Sequence, residues 1–184
     1  MALIVEDGTN VAGANSYADL ATLRTYALNR GVTLSATDSV VEAQAFNSMD
    51  FIESFRFRFQ GVKTYQAPNN TPQALQFPRS LYRDSGTGIY IDCIQIDNNV
   101  IPQQLKDIQC QCVMAVEAGV DFANLTQEQK FIIKEEVGPI KVTYADAEQG
   151  GGEASIPYIS SIQKMLDVLF YACGNSYAFD TRRV

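Results

Sequence analysis

The residues best suited to chemistry in this 184-residue chain are arginines and phenylalanines that alternate. Phe55, Phe57 and Phe59 are interleaved with Arg56 and Arg58. Aromatic rings stack on exposed bases and arginines contact phosphates, so this pattern is typical of a platform for single-stranded nucleic acid. The same alternation also fits a β-strand, or a frayed helix end whose phenylalanines pack against the core.

Positive charge is concentrated in the same part of the chain. Five basic residues and no acidic residue lie between Ser54 and Arg83, whereas the chain carries 14 basic and 21 acidic residues, a net charge of −7. Such a basic segment on an acidic protein favours docking to an acidic partner, although an ordinary solvated loop has the same composition. The five basic residues are Arg56, Arg58, Lys63, Arg79 and Arg83.

The absence of histidine excludes many catalytic and metal-binding arrangements. Neither Ser-His-Asp nor Cys-His nucleophile systems can form, and no metal can have a histidine ligand. The cysteines are Cys93, Cys110, Cys112 and Cys173, without a CxxC pair, so we expect small, partly buried apolar residues rather than zinc ligands. We therefore predict a protein that is not an enzyme and holds no cofactor or metal.

Composition indicates one globular domain over residues 1–184, since 46% of the residues are apolar. No apolar run reaches the roughly 18 residues that a membrane span requires, so we expect no membrane partner. The first residues, MALIVEDGTN, have no basic segment typical of a secretory signal. We therefore expect synthesis in the cytoplasm.

Apolar residues at helical spacing predict four helices. We expect the first to be capped at Asn15-Ser16 and to end near Gly31, and the second to open within residues 35–38. Pro102 begins the third, and the fourth follows the Gly150–Gly152 run. The expected buried stripes are Tyr17, Leu20, Leu23 and Ala27; Val41, Ala45, Met49 and Ile52; Leu105, Ile108, Cys112 and Ala115; and Ile159, Ile162, Leu166, Leu169 and Cys173.

A small antiparallel β element is predicted near the C-terminus. Ile140, Val142 and Tyr144 alternate with Lys141 and Thr143, which is the period of a strand with one solvated face. A lone strand pair has open edges that favour pairing with another chain. The residues that we expect at a subunit interface are Val137, Ile140, Val142 and Tyr144.

The predicted fold class is therefore mainly α. A four-helix core carries the small β element, and residues 60–99, rich in Pro, Asn, Gly and Ser, form a long middle loop. Residues 1–14 are expected to form an N-terminal arm, and residues 157–184 a C-terminal docking helix and tail.

Four segments in this order resemble one family. They are ALIVEDGTNVAGANSY (residues 2–17), ALQFPRS (74–80), IPQQLKDIQCQCVMA (101–115) and EEVGPIKVTY (135–144). Together they are similar to the head–tail connector (neck adaptor) proteins of tailed bacteriophages, some of which are labelled DnaT-like single-stranded-DNA-binding proteins. The chain departs from the usual pattern at Phe77, where tryptophan often precedes the Pro-Arg pair, and in the long loop that follows.

The resemblance implies a structural virion protein of the neck, between capsid and tail. About twelve copies would form a ring beneath the portal protein and continue the DNA conduit toward a tail or neck-completion protein. Double-stranded DNA would pass through the lumen without specific binding, which an acidic lumen would help. The residues implied in portal docking are Tyr171, Tyr177, Phe179, Arg182 and Arg183.

The alternative reading is a single-stranded-DNA-binding module. It would use Arg56, Phe57, Arg58 and Phe59 as a basic stacking platform. The net negative charge of the chain weighs against this reading, because phosphate neutralisation supplies most of the affinity of non-specific DNA binders.

Overall fold

A computed structural model describes residues 2–65, 72–83, 86–122, 134–137, 140–143 and 160–171. This part of the chain contains four helices and six short strands. The helices are α1 (Leu20–Leu28), α2 (Asp38–Ser54), α3 (Gln103–Glu117) and α4 (Ser160–Phe170). The strands are β1 (Val62–Lys63), β2 (Arg79–Ser80), β3 (Tyr90–Ile91), β4 (Ile94–Gln95), β5 (Lys134–Val137) and β6 (Ile140–Thr143). No helix in these ranges is long and apolar enough to cross a membrane.

The prediction of a mainly α class is wrong, because small sheets interrupt the helices. The strands pair antiparallel as β1–β2, β3–β4 and β5–β6. Two of these sheets lie within the segment that we predicted to be a long loop. Strands of two residues are too short to show an alternating pattern in the sequence. Long-range side-chain bonds help to hold them, such as the one from the Gln60 amide to the carbonyl of Tyr90 in β3.

The first helix begins later than predicted. Asp19 is its N-cap, and the Asp19 carboxylate accepts a hydrogen bond from the backbone N–H of Thr22 at 2.7 Å. Asn15 and Ser16 instead pair with the N-terminal segment, since Asn15 donates its backbone N–H to the carbonyl of Ile4 at 2.8 Å. Ser16 is a good capping residue by type, but it is buried in this pairing.

Buried apolar residues form two clusters that meet at α2 and α3. The larger cluster joins α2, α3 and α4 with the middle segment and contains Phe55, Phe59 and Phe77. The smaller cluster joins α1, α2 and α3 around Leu23 and Val41. The middle segment is therefore part of the main core, and it fixes the end of α2 against α4.

Candidate nucleic-acid interface

The alternating arginines and phenylalanines lie on a turn that continues α2. The backbone N–H of Arg56 donates to the carbonyl of Glu53 at 3.1 Å, and that of Arg58 donates to the carbonyl of Phe55 at 2.8 Å. Both bonds span three residues, as in a 3-10 turn. The alternation therefore marks a helix end rather than a strand. We call Arg56, Phe57 and Arg58 the RFR turn.

The RFR turn presents one exposed aromatic residue that two arginines flank in the chain. Phe57 is 87% exposed, and Arg56 and Arg58 are exposed as well. The Cζ atom of Arg56 lies 4.7 Å from the centroid of the Phe57 ring, in a cation–π contact. Because this guanidinium covers one face of the ring, the opposite face is open to a flat ligand such as a base.

The phenylalanines on either side of the turn are anchors. Phe55 and Phe59 are both 5% exposed. The Phe59 ring packs edge-on against Phe77 with centroids 5.1 Å apart, and the Phe55 ring lies 5.8 Å from that of Phe170. Phe59 is thus unavailable for base stacking, and the platform expected from the sequence is reduced to the RFR turn.

Arg79, which we predicted to face a partner, supports the turn from inside. Its guanidinium donates hydrogen bonds to the carbonyls of Gln60 (2.5 Å) and Gly61 (2.6 Å), and to the carbonyl and side-chain oxygens of Gln76. It also lies 5.8 Å from the centroid of the Phe59 ring. Burial lowers the pKa of Arg79 to about 10, and the neighbouring Tyr17 and Glu53 oppose that shift.

Gly61 allows a close approach between the segment after the turn and β2. A Cβ atom at Gly61 would lie 2.1 Å from the carbonyl oxygen of Ser80, and the residue has φ +63°. Both facts require glycine here. The segment that follows the RFR turn is consequently fixed by two contacts: the close approach of Gly61 to the Ser80 backbone and the hydrogen bonds from Arg79.

The other members of the basic segment do not join the RFR turn into one patch. The Lys63 ammonium donates to the carbonyl of Gln73 at 3.1 Å, and burial lowers the pKa of Lys63. Arg83 is exposed, on the turn after β2. Arg56, Arg58 and Arg83 are therefore the members whose side chains are open to a ligand.

A buried polar network behind the site was not found by sequence reasoning. The Gln109 side chain is fully buried, accepting from the backbone N–H of Tyr17 at 2.9 Å and donating to Ser16 Oγ at 2.7 Å. The Tyr17 hydroxyl donates to Glu53 at 3.3 Å and accepts from the backbone N–H of Phe77 at 3.1 Å. Burial, reinforced by Glu53, raises the pKa of Tyr17. A glutamine inside the apolar stripe of the third helix was the available signal.

Three of the four residues predicted at a subunit interface lie on the hairpin of β5 and β6. Val137 pairs with Ile140, and Val142 pairs with Glu135. Tyr144 lies outside the described residues. Of the predicted portal-docking residues the structure describes Tyr171, which directly follows α4 and is 46% exposed. The others lie outside the described residues: Tyr177, Phe179, Arg182 and Arg183.

The cysteines differ in their surroundings. Cys110 and Cys112 are buried in α3, whereas Cys93 is exposed at the turn between β3 and β4, contrary to the expected burial. Cys173 lies outside the described residues. Burial raises the pKa of the Cys110 thiol to about 12 and also raises that of Cys112.

The chain matches the model of a known protein family. No curated protein and no solved structure matches the chain. The model of a family described as "Putative DnaT-like ssDNA binding protein" matches residues 1–184. This agrees with the DnaT-like label in the resemblance noted above, while nothing in the comparisons points to the phage neck adaptors themselves. Since the match spans the whole chain, the protein belongs to the DnaT-like ssDNA-binding family.

Proposed function

We propose that this protein binds single-stranded nucleic acid through the RFR turn. The observation that carries the proposal is the 87% exposed ring of Phe57 between two exposed arginines. An exposed aromatic ring beside arginines offers one face for base stacking and cations for phosphate contacts. Membership of the DnaT-like family supports the same class of ligand.

The turn is already shaped for stacking before a ligand arrives. Phe55 and Phe59 are buried on either side of it, and Arg79 binds the carbonyls that follow it. A base that stacks on Phe57 would therefore order few protein groups, which lowers the entropic cost of binding. Base stacking tolerates any base, so the expected binding has little sequence preference.

The charge of the chain sets the strength of the expected binding. Its net charge is −7, and the turn offers two arginines. Two neutralised phosphates on a single strand give a slope of about −1.4 for log affinity against log salt. Binding should thus be weak at physiological salt and measurable at low salt.

The test is fluorescence anisotropy with a labelled oligothymidylate of about 12 nucleotides, at about 20 mM and about 200 mM NaCl. We expect binding at low salt, and Phe57→Ala should weaken it by roughly 1–3 kcal/mol because one base loses its stacking partner. Leu28→Ala, which removes a 66% exposed apolar side chain on α1, should leave the affinity unchanged. If the wild-type protein does not bind at low salt, the proposal is wrong.

A second candidate is the ring-forming head-to-tail connector of a phage neck. The observation that favours it is the β5–β6 hairpin, whose strands contact only each other among the described elements. A two-stranded hairpin is marginally stable alone, so its open edges suit pairing with another copy or with a portal protein. Under this candidate the protein would be a structural component of the virion.

Light scattering distinguishes the second candidate from the first. The mass would be measured first for the protein alone and then for a mixture of the protein with candidate portal rings. A large complex of fixed stoichiometry that forms with a portal supports the connector. If the protein binds oligonucleotides but none of the portals tested, the result supports the first candidate alone.

A further inference from the structure

The C-terminal end of α4 lies against the RFR turn. The backbone N–H of Gln60 and its side-chain amide both donate to the carbonyl of Leu169 at 3.4 Å. The rings of Phe59 and Phe170 have centroids 5.4 Å apart. On the outer side, the Cζ atom of Arg58 lies 4.5 Å from the centroid of the Phe170 ring. The guanidinium of Arg58 therefore spans the gap between the turn and α4.

The residue after this contact is a second exposed aromatic. Tyr171 is 46% exposed, and its backbone N–H donates to the carbonyl of Asp167 at 3.3 Å, which fixes it to the last turn of α4. Tyr171 directly follows Phe170, the residue whose ring Arg58 covers. Phe57 and Tyr171 are thus two exposed aromatics, each the chain neighbour of one member of the Arg58–Phe170 contact.

Two exposed aromatics that flank the Arg58–Phe170 contact in the chain suit a particular ligand. A single strand presents bases that can be splayed apart, with a phosphate between each pair, whereas the bases of a duplex are stacked inside. We propose that Phe57 and Tyr171 each stack on a base of the same single strand, with Arg58 at the phosphate between them. This inference rests on the proposed function and extends its site from the RFR turn to the end of α4.

Two measurements test the two-aromatic site. In the anisotropy assay, Tyr171→Ala should weaken binding by about 5-fold or more, whereas Tyr171→Phe keeps the ring and should bind within about 2-fold of wild type. Photo-crosslinking with an oligonucleotide that carries iododeoxyuridine should join it to two peptides, one containing Phe57 and one containing Tyr171. Helix content by circular dichroism, unchanged in each variant, controls for misfolding.

The outcomes separate this inference from the proposed function. If Phe57→Ala weakens binding but Tyr171→Ala does not, and crosslinks map to the Phe57 peptide alone, the second stacking position is wrong and the proposed function stands. If equal affinity for duplex and single strand is found, splayed bases are not the ligand and the inference fails. If the wild-type protein binds no oligonucleotide, both fail together.

Discussion

Arg79 and Arg83 show how differently two arginines of one short segment can act. The Arg79 guanidinium is buried against the carbonyls of Gln60, Gly61 and Gln76, while Arg83 is exposed after β2. Burying an arginine costs free energy, and hydrogen bonds to the carbonyls offset that cost. Arg79 is consequently a structural residue, and the RFR turn depends on it without Arg79 touching a ligand.

We expect Arg79→Met to lower the free energy of unfolding by about 2–4 kcal/mol, because several buried carbonyls lose their donor. Arg79→Lys should recover little of this loss, since one ammonium cannot reproduce the planar fork of donors. Urea denaturation followed by circular dichroism measures the change. The matched control is Arg83→Met, for which we expect a change within about 0.5 kcal/mol. Equal effects of the two Met variants would contradict the structural role of Arg79.

Residue type alone did not distinguish these roles. The alternating pattern predicted a platform that includes Phe57, but it placed the buried Phe59 on the same platform and grouped five basic residues as one partner-facing patch. Phe59 and Arg79 are buried because distant segments cover them, such as Phe77 and α4. Residue types carry no information on such long-range contacts, so the sequence could not distinguish the exposed members of this segment from the buried ones.

At the scale of elements, the helices were the most predictable parts. Leu105, Ile108 and Cys112, a stripe predicted for the third helix, are buried on α3. Local periodicity is enough to reveal a helix that buries one face. The two sheets of the middle segment could not be predicted, because two-residue strands depend on partners such as the Gln60 amide, which donates to the carbonyl of Tyr90 at 2.8 Å.

The β5–β6 hairpin gives a prediction for the connector candidate. Ile140→Asp or Val142→Asp should block assembly with a portal ring, because a charge would be buried at an apolar contact. Helix content should remain, since the hairpin contacts no helix in the described part of the chain. Native mass measurement by light scattering and circular dichroism check the two results. The control is Thr143→Asp, because the alternation predicts that Thr143 lies on the solvated side of the strand. If Ile140→Asp and Val142→Asp both assembled normally with the portal ring, the hairpin would be excluded as the interface.

The whole molecule should lose stability at alkaline pH. The pKa of Cys110 is raised by burial from 9.0 to about 12, so the folded state keeps a proton that the unfolded state releases. The associated stability is fully present below pH 9 and is lost as pH rises toward 12. Near pH 10 the free energy of unfolding should fall by up to about 1.4 kcal/mol per pH unit for this one thiol.

The check is urea denaturation at a series of pH values from 8 to 10, with a reducing agent present. In Cys110→Ala the free energy of unfolding should fall less between pH 8 and pH 10 than it does in the wild type, each protein being compared with its own value at pH 8. Cys93→Ala should decline as the wild type does, because Cys93 is exposed in the folded protein and its thiol has no burial to lose. A decline of the same slope in wild type and Cys110→Ala would assign it to other groups, such as the buried Tyr17.

The close approach of Gly61 to Ser80 separates what can vary in this protein from what cannot. A side chain at position 61 would collide with backbone, and a positive φ penalises it further. Position 57, by contrast, is almost wholly in solvent and meets no such barrier. The shape of the turn and its chemistry are thus encoded by different residues. The residue at position 57, and with it the ligand preference, can therefore change in evolution at little cost to the stability of the turn.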